Sequence, residues 1–295
     1  MNAEAPVLTP SEQFERGIQL ESIFMPEARR QRDKLYDSGQ KPSARFVHYT
    51  SADAALGIIR SKCMWMRNTN CMADFSEVQH GLVILNKFLQ DESRKVQFYG
   101  ALDAVSPNVA AEAVTLFNQW WNNIRFSTYI TSISEHDDKE DTHGRLSMWR
   151  AFGVQTSARV ALIFRVPWFT GAQDALNVLF SPVAYLTEKE AHSVVAEVTR
   201  NITANVGFLR SLDRQIVLNA VFNMLVGGVT CLKHESFLEE REWRAIYTPQ
   251  MRPSPLMESS VEVVGGTPQI VYKLPLDGRK SEALAAWIWR ACSTG

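Results

Sequence analysis

The chain is short of cysteine, of long apolar runs and of net charge, and each shortage removes a class of protein. Four cysteines, Cys63, Cys71, Cys231 and Cys292, stand among 295 residues. None is paired as C-x-x-C and none has the Cys/His spacing of a zinc site. A disulfide framework is therefore disfavoured, and reduced, buried thiols are expected. The most apolar stretch, Ile216 to Val229, is about 14 residues long and holds Gly227-Gly228 near its end, too short to span a bilayer. Met1 to Pro10 has neither a charged leader nor an apolar segment, so no secretion signal, no membrane and a cytoplasmic location are expected. The formal net charge is −1, which rules the whole surface out as an electrostatic nucleic-acid binder but leaves a local basic groove open. There is no G-x-x-x-x-G-K-S/T or G-x-G-x-x-G loop, which argues against P-loop and Rossmann chemistry. H-E-x-x-H and EF-hand patterns are missing too, so no metal is expected.

What is present is an ordinary globular composition, 45% hydrophobic and 21% charged, in a chain long enough for one elaborated domain. Ser11 to Phe24, capped by Ser11, and Pro26 to Tyr36 read as two helices, and Ser38 to Pro42 breaks the chain before a strand at Arg45 to His48. A helix over Ala54 to Ser61, a strand at Met64 to Arg67 and amphipathic helices over Glu77 to Leu89 and Ala110 to Ile124 come next. From Phe126 to Ser134 the period becomes two, with neither face cleanly apolar, so one side is expected to face a cleft. Glu135 to Thr142 reads as a solvated acidic turn, Arg145 to Phe152 as a helix, and Arg159 to Val166 as a parallel or central strand. Then come a short strand at Val183 to Leu186, a helical stretch from Thr187 to Val226, strands near Glu240 to Tyr247, Val261 to Val264 and Gln269 to Leu274, and a last helix over Ser281 to Ala291. The fold class is α+β. Residues 1–42 form an N-terminal helical extension to a single domain at 43–295, with a helical insertion around 187–230.

Four blocks carry polar and aromatic residues where a core would carry aliphatics: Arg45-Phe46-Val47-His48-Tyr49-Thr50-Ser51 with Met64-Trp65; Met72-Ala73-Asp74-Phe75-Ser76-Glu77; Tyr129 to Glu135 with Met148 to Gly153; and Lys233 to Arg244. His48, followed by Tyr49 and Thr50, offers donor, acceptor and stacking surface at a strand end; its plainer role is a histidine satisfied by backbone. Strand alternation puts Glu240, Glu242 and Arg244 on one face, suited to stabilising a developing cation or simply to a salt-bridged surface. Asp74 and Glu77 fit a helix start. Trp65, Trp149 and Arg150 are either core edges or stacking surfaces, and Trp149 or Arg150 is expected to border the cleft. Ser132 and Ser134 share a face without the G-x-S-x-G turn of a hydrolase nucleophile.

Together the blocks resemble a bacterial domain-of-unknown-function family with a His-Tyr-Thr/Ser strand, an Asn-Asp-x-x-Glu-like segment and a Glu-x-Glu-Trp-Arg strand, over roughly Phe46 to Ile246. Ala73 departs from the usual Asn. The first block also resembles the opening of the His-aromatic-Glu superfamily of ADP-ribosyltransferase toxins. That resemblance implies a central mixed or antiparallel sheet decorated with helices, and NAD as substrate. It implies His48 and Thr50 on the adenosine-side ribose, Tyr49 or Trp65 against nicotinamide, and Glu242 on the nicotinamide ribose with Glu240 as understudy. Ser132 and Arg244 complete the expected NAD-binding set. The implied activity is ADP-ribosyl transfer to a macromolecule, DNA, RNA or protein, by a toxin or phage-defence effector, with an antitoxin or regulatory protein as a further partner. NAD glycohydrolysis and a non-catalytic binding module are the alternatives.

Overall fold

The first helix, α1 (Pro10–Phe24), starts where Thr9 and Glu12 satisfy each other's backbone N–H groups in a capping box, so the cap lies before Ser11, the residue expected there. The computed structural model describes residues 9–72, 75–152, 158–167 and 176–276. Asp74, the Glu77 side chain and the helix expected at Ser281 to Ala291 lie outside the described residues. After α2 (Pro26–Tyr36) the chain enters β1 (Ser43–Ser51), α3 (Ala52–Ser61) and β2 (Cys63–Asn68). Three helices come next, α4 (Phe75–Gln90), α5 (Glu92–Val105) and α6 (Val109–Phe126), and then β3 (Tyr129–Glu135). The middle of the chain gives α7 (Leu146–Ala151), β4 (Arg159–Pro167), β5 (Leu179–Pro182) and β6 (Ala184–Tyr185). Beyond them are α8 (Glu188–Ala204), α9 (Val206–Arg210), α10 (Arg214–Thr230) and β7 (Leu232–Lys233). A 3-10 turn at Glu235–Glu240 leads to β8 (Glu242–Tyr247), β9 (Glu258–Val264) and β10 (Thr267–Pro275).

Eight of these strands make one sheet, and each of its ladders among the described residues is antiparallel. The α+β class expected from sequence is the observed one. β4 is not the parallel or central strand its apolar run suggests. Among the described residues it pairs only with β1, along its whole length, and ends that arm of the sheet. Its alternation of buried and half-exposed residues suits an edge better than a centre.

The sheet branches at β3. One edge of β3 is covered by β8 from Tyr129 to Ser134. On the other edge β1 pairs only with Ser134 and Glu135, and β2 only with Tyr129 and Ile130. Thr131, Ser132 and Ile133 therefore pair with neither. β1–β4 diverges as one arm and β2–β10–β9 as the other, and α3 joins them by linking β1 to β2.

One sheet face packs Phe46, Ile133, Trp243 and Tyr247 into the main core, beneath α2 and α3. A second core is helical. It draws Phe24 from α1, Phe88 from α4, Phe98 and Leu102 from α5, and Ile202 and Val221 from α8 and α10. The expected stretch at 187–226 is thus three helices that share a core with α4–α6. The two N-terminal helices, read from sequence as an extension, are built into this packing. Arg32 donates to Phe180 O at 2.9 Å and stacks on Trp243, and the buried Tyr36 hydroxyl donates to Val166 O at 3.2 Å.

A candidate active site in the branch of the sheet

Where β1 leaves β3, His48 takes over a backbone partner. Continuing the antiparallel register would set His48 against Ile133; instead its Nδ1 lies 3.0 Å from Ser132 O. A carbonyl only accepts, so Nδ1 carries the proton and Nε2 is the acceptor nitrogen of a neutral ring. Burial lowers the His48 pKa, and the bond to Ser132 only partly opposes that. The opening holds a cleft of about 680 Å³, within the range of small-molecule and cofactor sites. Its inner end is lined by His48, Thr50, Ser132 and Glu242, and its outer arm by Trp65 and Lys273.

Glu242 forms the floor. It is 6% exposed and accepts from Arg244 Nε at 2.7 Å and Nη2 at 3.2 Å. Ser132 Oγ donates to the same carboxylate, and Lys233 Nζ sits 3.4 Å from Oε2. Burial alone would raise its pKa. Arg244 beside it outweighs that, with Lys233 and Ser132 adding to the effect, and the carboxyl is held below its ordinary range. Ser132 thus touches both proposed poles, His48 through its carbonyl and Glu242 through its hydroxyl.

The structure corrects several sequence expectations. Arg244 does not reach the cleft. It is fully buried and bridges Glu242 to Thr230 O, 2.7 Å away, at the C-terminus of α10, where a cation suits the orphan carbonyls. Glu240 is not on the strand with Glu242 but in the preceding 3-10 turn, because Arg241 adopts a left-handed backbone with φ 42°. Its carboxylate still reaches the site, 2.7 Å from Lys233 Nζ. Tyr49 lies on the opposite strand face from His48 and Thr50. Its ring packs edge-on against Trp149 at 4.8 Å and its hydroxyl accepts from Arg145 N at 3.0 Å. Gly144 closes this pocket with φ 62°, and a Cβ there would stand 2.9 Å from the Tyr49 hydroxyl. Trp149 and Arg150 do not border the cleft; Met148 and Phe152 of the same block do. The acidic loop is the solvent-exposed turn expected, with Asp137, Asp138 and Asp141 exposed, and it is also tied down. Arg45 binds Asp138 and Asp141, and His136 lies 2.8 Å from Asp141, which together draw the Asp141 pKa down to about 2. Cys63 and Cys231 are buried free thiols as expected, but Cys71 is exposed.

Trp65 is different from Tyr49. It is 40% exposed and lines the cleft from β2, whereas Tyr49, which also borders the cleft, is 5% exposed and packed against Trp149. The residue that sequence reasoning missed is Lys233, which is 4% exposed and bridges both acids. It belongs to the fourth block, but the 3-10 turn at Glu235–Glu240 separates it, at the end of β7, from Glu242 at the start of β8, so no periodicity links the two. Tyr185 is likewise unannounced; its hydroxyl accepts from Glu242 N at 2.8 Å.

Residues 148–245 match the model of a family described as a protein of unknown function, DUF2971. The match runs from α7 into β8 and takes in Lys233, Glu240 and Glu242. The blocks around His48 and Met72 lie outside it. No curated protein and no solved structure matches the chain.

Proposed function

We propose that the protein is an NAD-consuming ADP-ribosyltransferase whose cleft is the branch of the sheet at β3. The observation that carries this reading is the meeting of His48, Thr50, Trp65, Ser132 and Glu242 in one cavity, from β1, β2, β3 and β8. The chemistry fits. Breaking the bond between nicotinamide and ribose sends the electron pair to nicotinamide and leaves positive charge on the sugar, and an acceptor nucleophile then attacks the sugar carbon. Glu242, kept ionised by Arg244 and Lys233, is a fixed anion facing that charge, and fixed charge needs no reorganisation as the bond breaks. His48 Nε2 and the Thr50 hydroxyl can hold ribose hydroxyls. Trp65 is the stacking surface for the nicotinamide ring in place of Tyr49, which is already packed. Holding both ends of the dinucleotide is itself catalytic.

A second reading, a non-catalytic binding module, is favoured by one observation: Glu242 is saturated by cationic and hydroxyl donors, as a structural carboxylate would be. Incubation with NAD labelled in the adenylate half separates the readings. Label carried into macromolecule supports transfer, free ADP-ribose indicates glycohydrolysis, and intact NAD indicates the binding module. Glu242→Gln is expected to lower turnover by roughly 10²–10³. Because Glu242 is buried, the variant must be shown folded by its near-UV spectrum. Trp65→Ala, on an exposed ring, is expected to weaken NAD binding without moving the melting temperature. Equal NAD binding by that variant would remove the stacking role.

A further inference from the structure

The outer arm of the sheet ends in β9, and among the described residues no strand pairs with its outer edge. Edge strands are ordinarily guarded by lysine, proline, a bulge or an inward charge. β9 reads Glu258-Ser259-Ser260-Val261-Glu262-Val263-Val264 and has no lysine, arginine or proline. Its central carboxylate, Glu262, points to the cleft side, where Ser260 Oγ donates to it at 2.8 Å and Lys273 Nζ of β10 pairs with it at 3.4 Å, so its charge is offset from within the sheet. On the opposite face Val261 is 68% exposed and Val263 67%, with Ile270 of β10 beside Val261.

We propose that β9 pairs with β9 of a second copy of this chain, antiparallel about a twofold axis at Val261, giving a homodimer with one continuous sheet. The residues set the register. Centring on Val261 overlaps all seven residues of the strand. It places Val261 against its own copy, Ser259 against Val263, Ser260 against Glu262 and Glu258 against Val264. Moving the axis to Ser260 opposes Glu258 to Glu262, and moving it to Glu262 opposes two copies of that carboxylate. Like charges directly opposite are destabilising. A twofold interface must be self-complementary, and the Val261 register alone among these three avoids a carboxylate pair. Glu262 and Val264 also line the cleft, so the second strand would brace the outer cleft arm, although the inference does not depend on what the cleft binds.

The test is the mass in solution of the full chain, 33.4 kDa per copy, by sedimentation equilibrium across the micromolar range. The wild type is expected to approach twice that mass, and Val261→Lys, which places two like charges on the axis, to return to one copy while keeping a single cooperative melting transition. Register is read by cysteine crosslinking. Opposed strand residues have Cα atoms about 4.5–5.5 Å apart, inside the span of a disulfide. Val261→Cys should form a covalent dimer above the wild-type background on oxidation, and Val263→Cys, opposed to Ser259, should not. A wild type that stays monomeric throughout, a Val261→Lys chain that still dimerises, or equal crosslinking by both cysteine variants overturns the proposal.

Discussion

At the residue scale the site is a small buried ionic cluster, with Glu240 and Glu242 set against Lys233 and Arg244. Such clusters add little net stability when intact, but breaking one by removing a partner leaves a buried charge uncompensated and costs about 3–5 kcal/mol. Lys233→Met is therefore expected to lose stability on that scale in urea denaturation, and Lys233→Met/Glu240→Gln to recover part of it. A variant within experimental error of wild type would mean that Lys233 is not the partner the geometry makes it. The pH dependence has a definite sign. Glu242 has a folded pKa below its ordinary 4.5, so its contribution is present above that value and fades as pH falls through the folded pKa. His48 is also lowered from 6.5, by burial. Protonation favours the unfolded chain once pH drops below 6.5, so both groups make the fold acid-labile. Of the site, His48 and Glu242 are legible in the sequence as polar residues at strand positions, and Lys233 is not. Arg244 was placed on the correct strand face, but alternation cannot say that this face packs against the end of a helix. Tyr49 and His48, adjacent in sequence, point to opposite faces of β1, and the Tyr49 ring and hydroxyl are taken up by Trp149 and Arg145.

At the element scale, period and punctuation placed most strands and helices, and they failed where tertiary contacts decide. α5 has hardly any amphipathic periodicity, yet Phe98, Leu102 and Val105 are buried, because helices pack around it on several sides. The strand expected from Phe126 begins three residues later, since α6 runs on to Phe126 and Thr128 turns its hydroxyl back to Ile124 O at 2.6 Å. The crossing of α4 and α10 depends on one small residue. A Cβ on Gly81 would lie 2.8 Å from Val229 Cα and 2.9 Å from its carbonyl oxygen. Both are backbone atoms and cannot swing aside. Gly81→Ala, which would otherwise favour the helix, is expected instead to destabilise by about 1–3 kcal/mol through overpacking. Thermal unfolding of this single variant decides the sign, and a raised melting temperature would show that the helices can separate at no cost.

At the scale of the whole molecule, two helical segments far apart in sequence, α4–α6 and α8–α10, close on one another and on α1 to make a single core. Nothing local announces this, because the apolar stripe of each helix specifies a buried face but not its partner. The N-terminal helices take part in both cores. Ile23 and Phe24 enter the helical core while Tyr36 enters the sheet core, and Arg32 crosses from Glu21 to the Phe180 carbonyl and the Trp243 ring. Trp243 adjoins Glu242, so α2 is packed against the back of the strand that carries the proposed catalytic carboxylate. Removing residues 1–39 would expose both cores and strip the cover from Trp243. A separable extension would leave a chain that unfolds cooperatively, with an unchanged aromatic spectrum. The expected outcome is the opposite: loss of the cooperative thermal transition, loss of the near-UV signal of the buried tryptophan, and aggregation through the uncovered sheet face. If the shortened chain keeps a sharp transition within a few degrees of the full chain, α1 and α2 are an appendage after all, and the packing of α2 behind Glu242 has no part in holding the cleft.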